Sequence, residues 1–330
     1  MTISFVGDVP NSTERVVTGL YSLDRAVGDS GGNVGFPLRT LVELYGKKGI
    51  GKTSFCLSMM GRIADKTGKP ISILDFERQD PDTVSKILSL SGYEGDVHYI
   101  TNKSKETPGD TLERFVDTMF VKQPPVGLVD SIGGFYPNAE LEGKIGDSNM
   151  GVRAREIGQF SRRLVRSLQI ADSPHSIFMT NHEHPTIGGM TQGTITPGGE
   201  TKKYLSHLRL RIKPAFLGKS TIDFGSSWLI DGRVEHNRDG FSKTTFYVYM
   251  VAGEGIHTGL TAVWDCIVKG LATSSAANIK ETSTISLDGK SYGKLRNIID
   301  NRKDDEMFVP FQNALKVESV ESTDMETEEE

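Results

Sequence analysis

Cysteine is scarce in this chain. Its two cysteines, Cys56 and Cys266, form no metal-ligand pattern, and the expected state is a reduced intracellular thiol. Long apolar runs are missing too. No stretch of about 18 apolar residues occurs, so no membrane-spanning segment is expected. The N-terminal MTISFVGDVP has neither a basic n-region nor an apolar h-region, which excludes a secretory signal at that position. No internal repeat is visible. Positive charge is also short, with 38 Lys and Arg against 43 Asp and Glu and a net charge of −5. Taken alone, that balance argues against a nucleic-acid partner.

The charge is unevenly placed, however. Residues 318–330, ESVESTDMETEEE, carry seven acids and no base. Without them the body has 38 basic and 36 acidic residues, a balance of +2. So acidic a tail cannot bury a core and is expected to be disordered over 316–330. What remains has the profile of a soluble globular protein, with 36% apolar and 25% charged residues in a chain of 330. That length suits one large α/β domain with a small appendage.

Strand and helix signals alternate along the first two thirds. LVELY at 41–45 is an apolar run that ends at a glycine-rich loop, and a helix is expected from Lys52 to about Thr67, stopped at Gly68. ISILDF at 71–76 reads as a buried strand. Asp80-Pro81 opens a second helix, with Asp80 as N-cap and Pro81 at the first helical position. VGLVDSI at 126–132 and SIFMTN at 176–181 read as strands on either side of a long helix over 151–171. Such alternation predicts a mostly parallel sheet with both faces covered. From 205 to 251, LRLRI, SSWLIDGRV and TTFYVYMV read as hairpin-linked strands that extend it. The expected division is an N-terminal arm over 1–15, a core over 16–259, a small C-terminal α+β domain over 260–315, and the tail.

Residues 46–53 read GKKGIGKT, the pattern G-x-x-x-x-G-K-[ST], with a strand before and a helix after. Gly46, Gly49 and Gly51 let the backbone N–H groups of Lys47, Lys48, Ile50 and their neighbours through Ser54 turn toward phosphates. The helix N-terminus adds a positive field. Lys52 can reach the β- and γ-phosphates, and Thr53 offers a hydroxyl to Mg²⁺. A P-loop also needs an acid for the metal and one for the water. Asp130 ends the VGLVD run, where a carboxylate faces the nucleotide. Glu77 ends ISILDFE and can orient the attacking water. A strand-end acid with no chemistry is the plainer reading of Glu77. Asp75, two residues earlier on the same strand face, competes for the role.

GKKGIGKT, LDFERQDPD, VGLVDSI and above all EGKIGDSNMGVRAREIGQFSRRL at 142–164 give the chain a resemblance to the RecA family of bacterial and phage recombinases. The resemblance runs from VVTGLYSLDRAVG at 16–28 to about residue 315. It implies an α/β fold with a RecA-type P-loop NTPase core. It also implies DNA-dependent hydrolysis of ATP with Mg²⁺, and homo-oligomeric helical filaments on single-stranded DNA that pair with double-stranded DNA. Glu77 falls at the family's catalytic glutamate, and Asp130 and Ser131 at its Walker B position. Asp80 joins the nucleotide-binding set.

The GDSNMG segment and the helix after it resemble the first DNA loop and the helix behind it, with Met150, Arg153, Arg155 and Arg162 on DNA. Independently, 153–166 holds five arginines against one acid. Arg155, Arg162 and Arg166 fall on one helix face, suited to phosphate. A solvated face is the bland alternative. EHPTIGGMTQGTITPGG at 183–199 resembles the second DNA loop, with Ile187 between bases and the amides of Gly198 and Gly199 on phosphate.

Three departures stand out. His182 replaces the sensor glutamine of bacterial RecA, a change shared with phage recombinases of the UvsX type. That points to a phage-like origin and a cytoplasmic setting in a bacterium or infected cell. Only a short arm precedes the core. His236 and Arg238 stand where the family has two lysines that reach a neighbour's ATP. Lys290, Lys294 and Arg296 are further basic residues that could gather duplex DNA. Single-strand-binding and loader proteins remain candidate partners. The rival readings are a hexameric RecA-fold motor and a regulatory RecA-fold ATPase with no DNA role.

Overall fold

The computed structural model describes residues 14–65, 69–102, 106–137, 151–170, 175–185, 194–217, 220–276 and 279–316. Met150, Ile187, residues 1–13 of the arm expected over 1–15 and residues 317–330 of the tail expected over 316–330 lie outside the described residues; Arg15 stands in a strand and Lys316 in a helix. A nine-stranded sheet organises the rest. Its strands in chain order are β1 (Leu41–Gly46), β2 (Ile71–Asp75), β3 (Val97–Ile100), β4 (Val126–Asp130), β5 (Ser176–His182), β6 (Leu208–Pro214), β7 (Ser227–Asn237), β8 (Thr245–Val251) and β9 (Gly255–Ile256). In space they run β3-β2-β4-β5-β1-β6-β7-β8-β9. The first six are parallel, and β6 through β9 pair antiparallel. This is the mostly parallel sheet of a RecA-type core.

Alternation along each strand divides the residues between two faces. Val42 and Leu44 of β1 join one core with helices α1 (Tyr21–Ala26), α2 (Lys52–Ala64) and α3 (Pro81–Leu90). Leu41 turns to the other, with α4 (Pro108–Val121) and α5 (Val152–Ile170). Helix α5 matches the span expected over 151–171. Helix α2 ends at Ala64, earlier than the sequence pattern implied. Helix α3 starts as predicted, the Asp80 carboxylate accepting from the Thr83 N–H at 3.0 Å with Pro81 in the first turn.

LRLRI is a strand, but hairpin logic does not describe all its pairing. β6 lies parallel to β1, Leu208 opposite Val42, before the antiparallel set begins. Its alternating pattern says which face is buried but not which neighbour it pairs with.

A third core gathers Leu229, Tyr249 and Val251 of the sheet around α7 (Thr258–Val268), a three-stranded sheet β10-β11-β12 (Ala272–Ser274, Thr284–Leu287, Lys290–Lys294) and α8 (Leu295–Asp300). β11 and β12 form a hairpin ahead of α8, with Asp288 and Gly289 at positive φ in its turn. Helix α7 begins at Thr258, capped by the His257 ring, which accepts from the Leu260 N–H. The third core therefore includes strands of the large sheet. Both cysteines are fully buried, Cys56 in the α2 core and Cys266 in the α7 core. Among the described residues, no helix is long and apolar enough to cross a membrane.

Candidate nucleotide site and DNA face

Four neighbouring parallel strands, β1, β5, β4 and β2, end on the same edge. Each delivers one group there: the P-loop, His182, Asp130 and Glu77. This is the carboxyl edge where open α/β sheets bind ligands. Gly49 and Gly51 take φ of +81° and +96°, a region that a side chain would strain. A Cβ at Gly49 would meet nothing within 4 Å. Gly51 starts α2 with no side-chain cap, so the helix N-terminus is open to an anion. Lys47 and Lys48 are exposed on the loop, and Ile50 is buried beneath it. The Trp228 indole N–H donates to the Ile50 carbonyl at 3.2 Å.

Lys52 is 7% exposed. Its Nζ donates to the Gly46 and Lys47 carbonyls at 3.3 and 3.0 Å. Burial pushes its pKa below the usual lysine value, against the pull of Glu77 and Asp130. The Thr53 hydroxyl donates to Asp130 Oδ2 at 2.8 Å, and Ser54 follows in the same turn. Asp130 is 1% exposed, and burial pushes its carboxyl up to about 6, opposed by hydroxyl bonds from Thr180 and Thr53. Gln79 Nε2 donates to the same carboxylate at 3.1 Å. A hard divalent cation suits this hydroxyl–carboxylate pair. Among the described residues no group of three or more His, Cys, Asp or Glu could hold a metal ion.

Asp75 and Glu77 separate cleanly. The Asp75 carboxylate accepts from the backbone N–H groups of Glu77, Arg78 and Gln79 at 2.7–2.8 Å, and from the Tyr99 hydroxyl at 3.2 Å. It builds the turn that presents Glu77. The expected shared strand face fails because β2 stops at Asp75 and Arg78 takes a positive φ. Glu77 Oε1 accepts from the Ser131 hydroxyl and lies 3.2 Å from His182 Nε2. His182 Nδ1 is buried with no hydrogen-bond partner among the described residues.

The expected DNA residues divide as well. Arg155, Arg162 and Arg166 are exposed along one face of α5, and their side chains make no hydrogen bond or ion pair among the described residues. Their neighbour Arg163 is held by Glu113 of α4. Arg153 does not join them. It lies on the first turn of α5 and donates inward to the Ile132 and Gly133 carbonyls, in the turn after Asp130. Gly198 and Gly199 both take positive φ. They follow a short ladder of His184–Pro185 with Thr194–Ile195.

Asp80 is spent on its helix cap. Arg238 is exposed and donates to the Tyr204 carbonyl at 3.0 Å. It follows Asn237, opposite Leu208 at the start of β6. That is the far edge of the sheet, about 15 Å below the P-loop at ~3.3 Å per residue. Arg238 therefore cannot reach the nucleotide site of its own chain. Burial, with Arg238 and Arg209, pushes the His236 imidazole below its usual pKa. Arg296 pairs with Glu281 at 2.8 Å, and Lys290 lies over the Tyr292 ring.

Sequence reasoning gave no site role to Gln79, Thr180, Asn181, Trp228 or the Glu43–Lys202 pair. Polar residues inside the apolar runs LVELY and SIFMTN were the available signal for Glu43, Thr180 and Asn181. Residues 3–226 match the family model of the RecA N-terminal domain. With the P-loop, its acids and the parallel sheet in place, the chain belongs to the RecA family of recombination ATPases.

Proposed function

We propose that this chain is a DNA-dependent ATPase that assembles as a helical filament on single-stranded DNA and pairs it with homologous duplex. One observation carries the reading. The helix with the unpartnered arginine face is tied at its first turn, through Arg153, to the carbonyls that follow Asp130. A regulatory ATPase with no DNA role has no use for that link between a phosphate-suited surface and the nucleotide site.

Magnesium-bound ATP supplies the γ-phosphoryl group, and the metal offsets its charge. Gly46 to Ser54 would hold the phosphates through backbone N–H groups, and Lys52 would exchange its carbonyl partners for phosphate oxygen. Thr53 and Asp130 would hold the metal. Glu77 is the general base, its carboxylate oriented by Ser131 and His182. Arg238 would act on the nucleotide of a neighbouring subunit. Arg155 and Arg162 bind DNA phosphates, with Met150, Ile187, Gly198 and Gly199 completing the surface. The Asn181-His182 pair supports a phage-type assignment. Residues 260–315 would form a small C-terminal unit packed on β7 and β8 through the third core.

ATP turnover with and without single-stranded DNA, together with negative-stain images, tests this. DNA-stimulated hydrolysis and helical filaments are expected. Closed rings that unwind duplex would favour the motor, and turnover indifferent to DNA would favour the regulatory ATPase.

A further inference from the structure

Glu43 is a fully buried carboxylate in the middle of β1, in register with Met179 of β5 and Arg209 of β6. It shares its sheet face with Leu41, toward α5. Three side chains converge on it. Lys202 Nζ donates at 2.6 Å, Arg209 Nε at 2.7 Å and Asn181 Nδ2 at 2.9 Å. Lys202, on the short helix α6 (Thr201–Leu205), is itself fully buried. Burial would push the Glu43 carboxyl up, but the two cations hold it below its usual range.

Stability alone does not account for this arrangement, because apolar side chains often replace a buried ion pair at no net cost. What such a pair supplies is fixed geometry, and here the geometry is specific. Lys202 Nζ also donates to Thr196 Oγ1 at 2.7 Å. Its stem lies against Gly198, where an added Cβ would stand 3.0 Å from Lys202 Cε. Asn181 donates through the same amide to the Pro197 carbonyl at 3.0 Å, and its Oδ1 accepts from the His182 N–H at 2.9 Å. His182 then meets Glu77. The stem Thr196–Lys202 is thus pinned to the sheet by the residues that lead into the nucleotide site.

We propose that Glu43 and Lys202 are positioning residues that couple the Thr196–Gly199 stem to Asn181 and His182, so that DNA held at the glycine pair adjusts Glu77. This inference rests on the DNA-dependent ATPase reading above. Lys202→Met keeps most of the side-chain length, removes the ammonium and leaves Arg209 to partner Glu43. Thr196→Val removes only the hydroxyl at the loop end and is the second variant should Lys202→Met fail to fold.

ATP turnover is measured for each full-length protein across a titration of oligothymidylate, with folding followed by circular dichroism. In Lys202→Met, basal turnover is expected within about twofold of wild type, while DNA stimulation falls about tenfold, inside the usual range of a coupling between sites. Thr196→Val should move the same way by less, and Lys202→Arg should retain stimulation. Stimulation equal to wild type in folded Lys202→Met and Thr196→Val overturns the inference while the DNA-dependent reading stands. Equal loss of basal and stimulated turnover also overturns it, reducing the pair to a structural role. Wild-type turnover indifferent to oligothymidylate overturns the reading itself, and the inference with it.

Discussion

The nucleotide edge of the sheet and the exposed face of α5 are both crowded with charge, yet they treat it in opposite ways. At the edge, Lys52, Asp130 and Glu77 each have partners within the protein. On α5, Arg155, Arg162 and Arg166 have none among the described residues. A small ligand that must be held in one pose needs its contacts fixed before it arrives, which is electrostatic preorganisation. A polyanion that lies along a surface needs charge density and releases counterions from many equivalent contacts. Damage at the edge should therefore act as a switch, and damage on α5 as a gradient.

The largest effect is expected from Lys52→Ala. Turnover should fall by about 10² to 10³ or more, as on removal of a donor from a transition-state oxyanion. Near-normal steady-state hydrolysis in a folded variant would break the comparison at its first term. Glu77→Gln comes next. Turnover should drop by roughly 10², with ATP binding retained and filaments on DNA made longer-lived. If binding is lost and turnover kept, another acid is the base.

On the gradient side, Arg155→Ala and Arg162→Ala should each lower the slope of log affinity against log salt by about 0.7 on single strands. Hydrolysis at saturating DNA should be little changed. Unchanged slopes in both would place the DNA on another surface.

The smallest effect on turnover lies outside both regions. Burial pushes the Asp265 carboxyl up to about 7, with the Ser22 backbone N–H donating to it at 3.2 Å. The folded state thus binds a proton that the unfolded state has already lost between about pH 4 and 7. Stability should fall as pH rises across that window, and the loss should saturate above it. Asp265→Asn keeps an acceptor for Ser22 and should flatten the dependence of Tm on pH between about 4 and 7, where the stability at stake is on the order of a few kcal/mol at most. An unchanged pH profile would show that this carboxyl does not set it.

Local chemistry was legible in the sequence. The P-loop, the Asp80-Pro81 helix start and the strand-end acids are each written within a few residues, and the structure places Lys52, Thr53, Asp130, Ser131, Glu77 and His182 together. The buried network was not legible, because Glu43 and Lys202 meet only after β1 and β6 pair across the sheet. A lone glutamate in an apolar run signals that a partner exists without naming it. Arg153 teaches a related limit. It shares a helix with Arg155 and Arg162, but at the first turn of α5 the nearest acceptors are backbone carbonyls of the turn beneath. Helical spacing gives the face a residue occupies, while its partner depends on what the fold brings to that face. Pairing order in the sheet was equally hidden, since β6 reads the same whether its neighbour runs parallel or antiparallel.

The two buried cysteines make the molecule its own kinetic recorder. Cys56 belongs to the core behind the P-loop, and Cys266 to the core around α7. Neither thiol meets solvent, and burial pushes the Cys56 pKa well above the ordinary thiol value. A thiol reagent therefore waits for the surrounding structure to open. At reagent concentrations high enough to outpace reclosing, the rate at which each sulfur is alkylated counts the openings of one core, so a single experiment on the unmodified chain times the two cores separately.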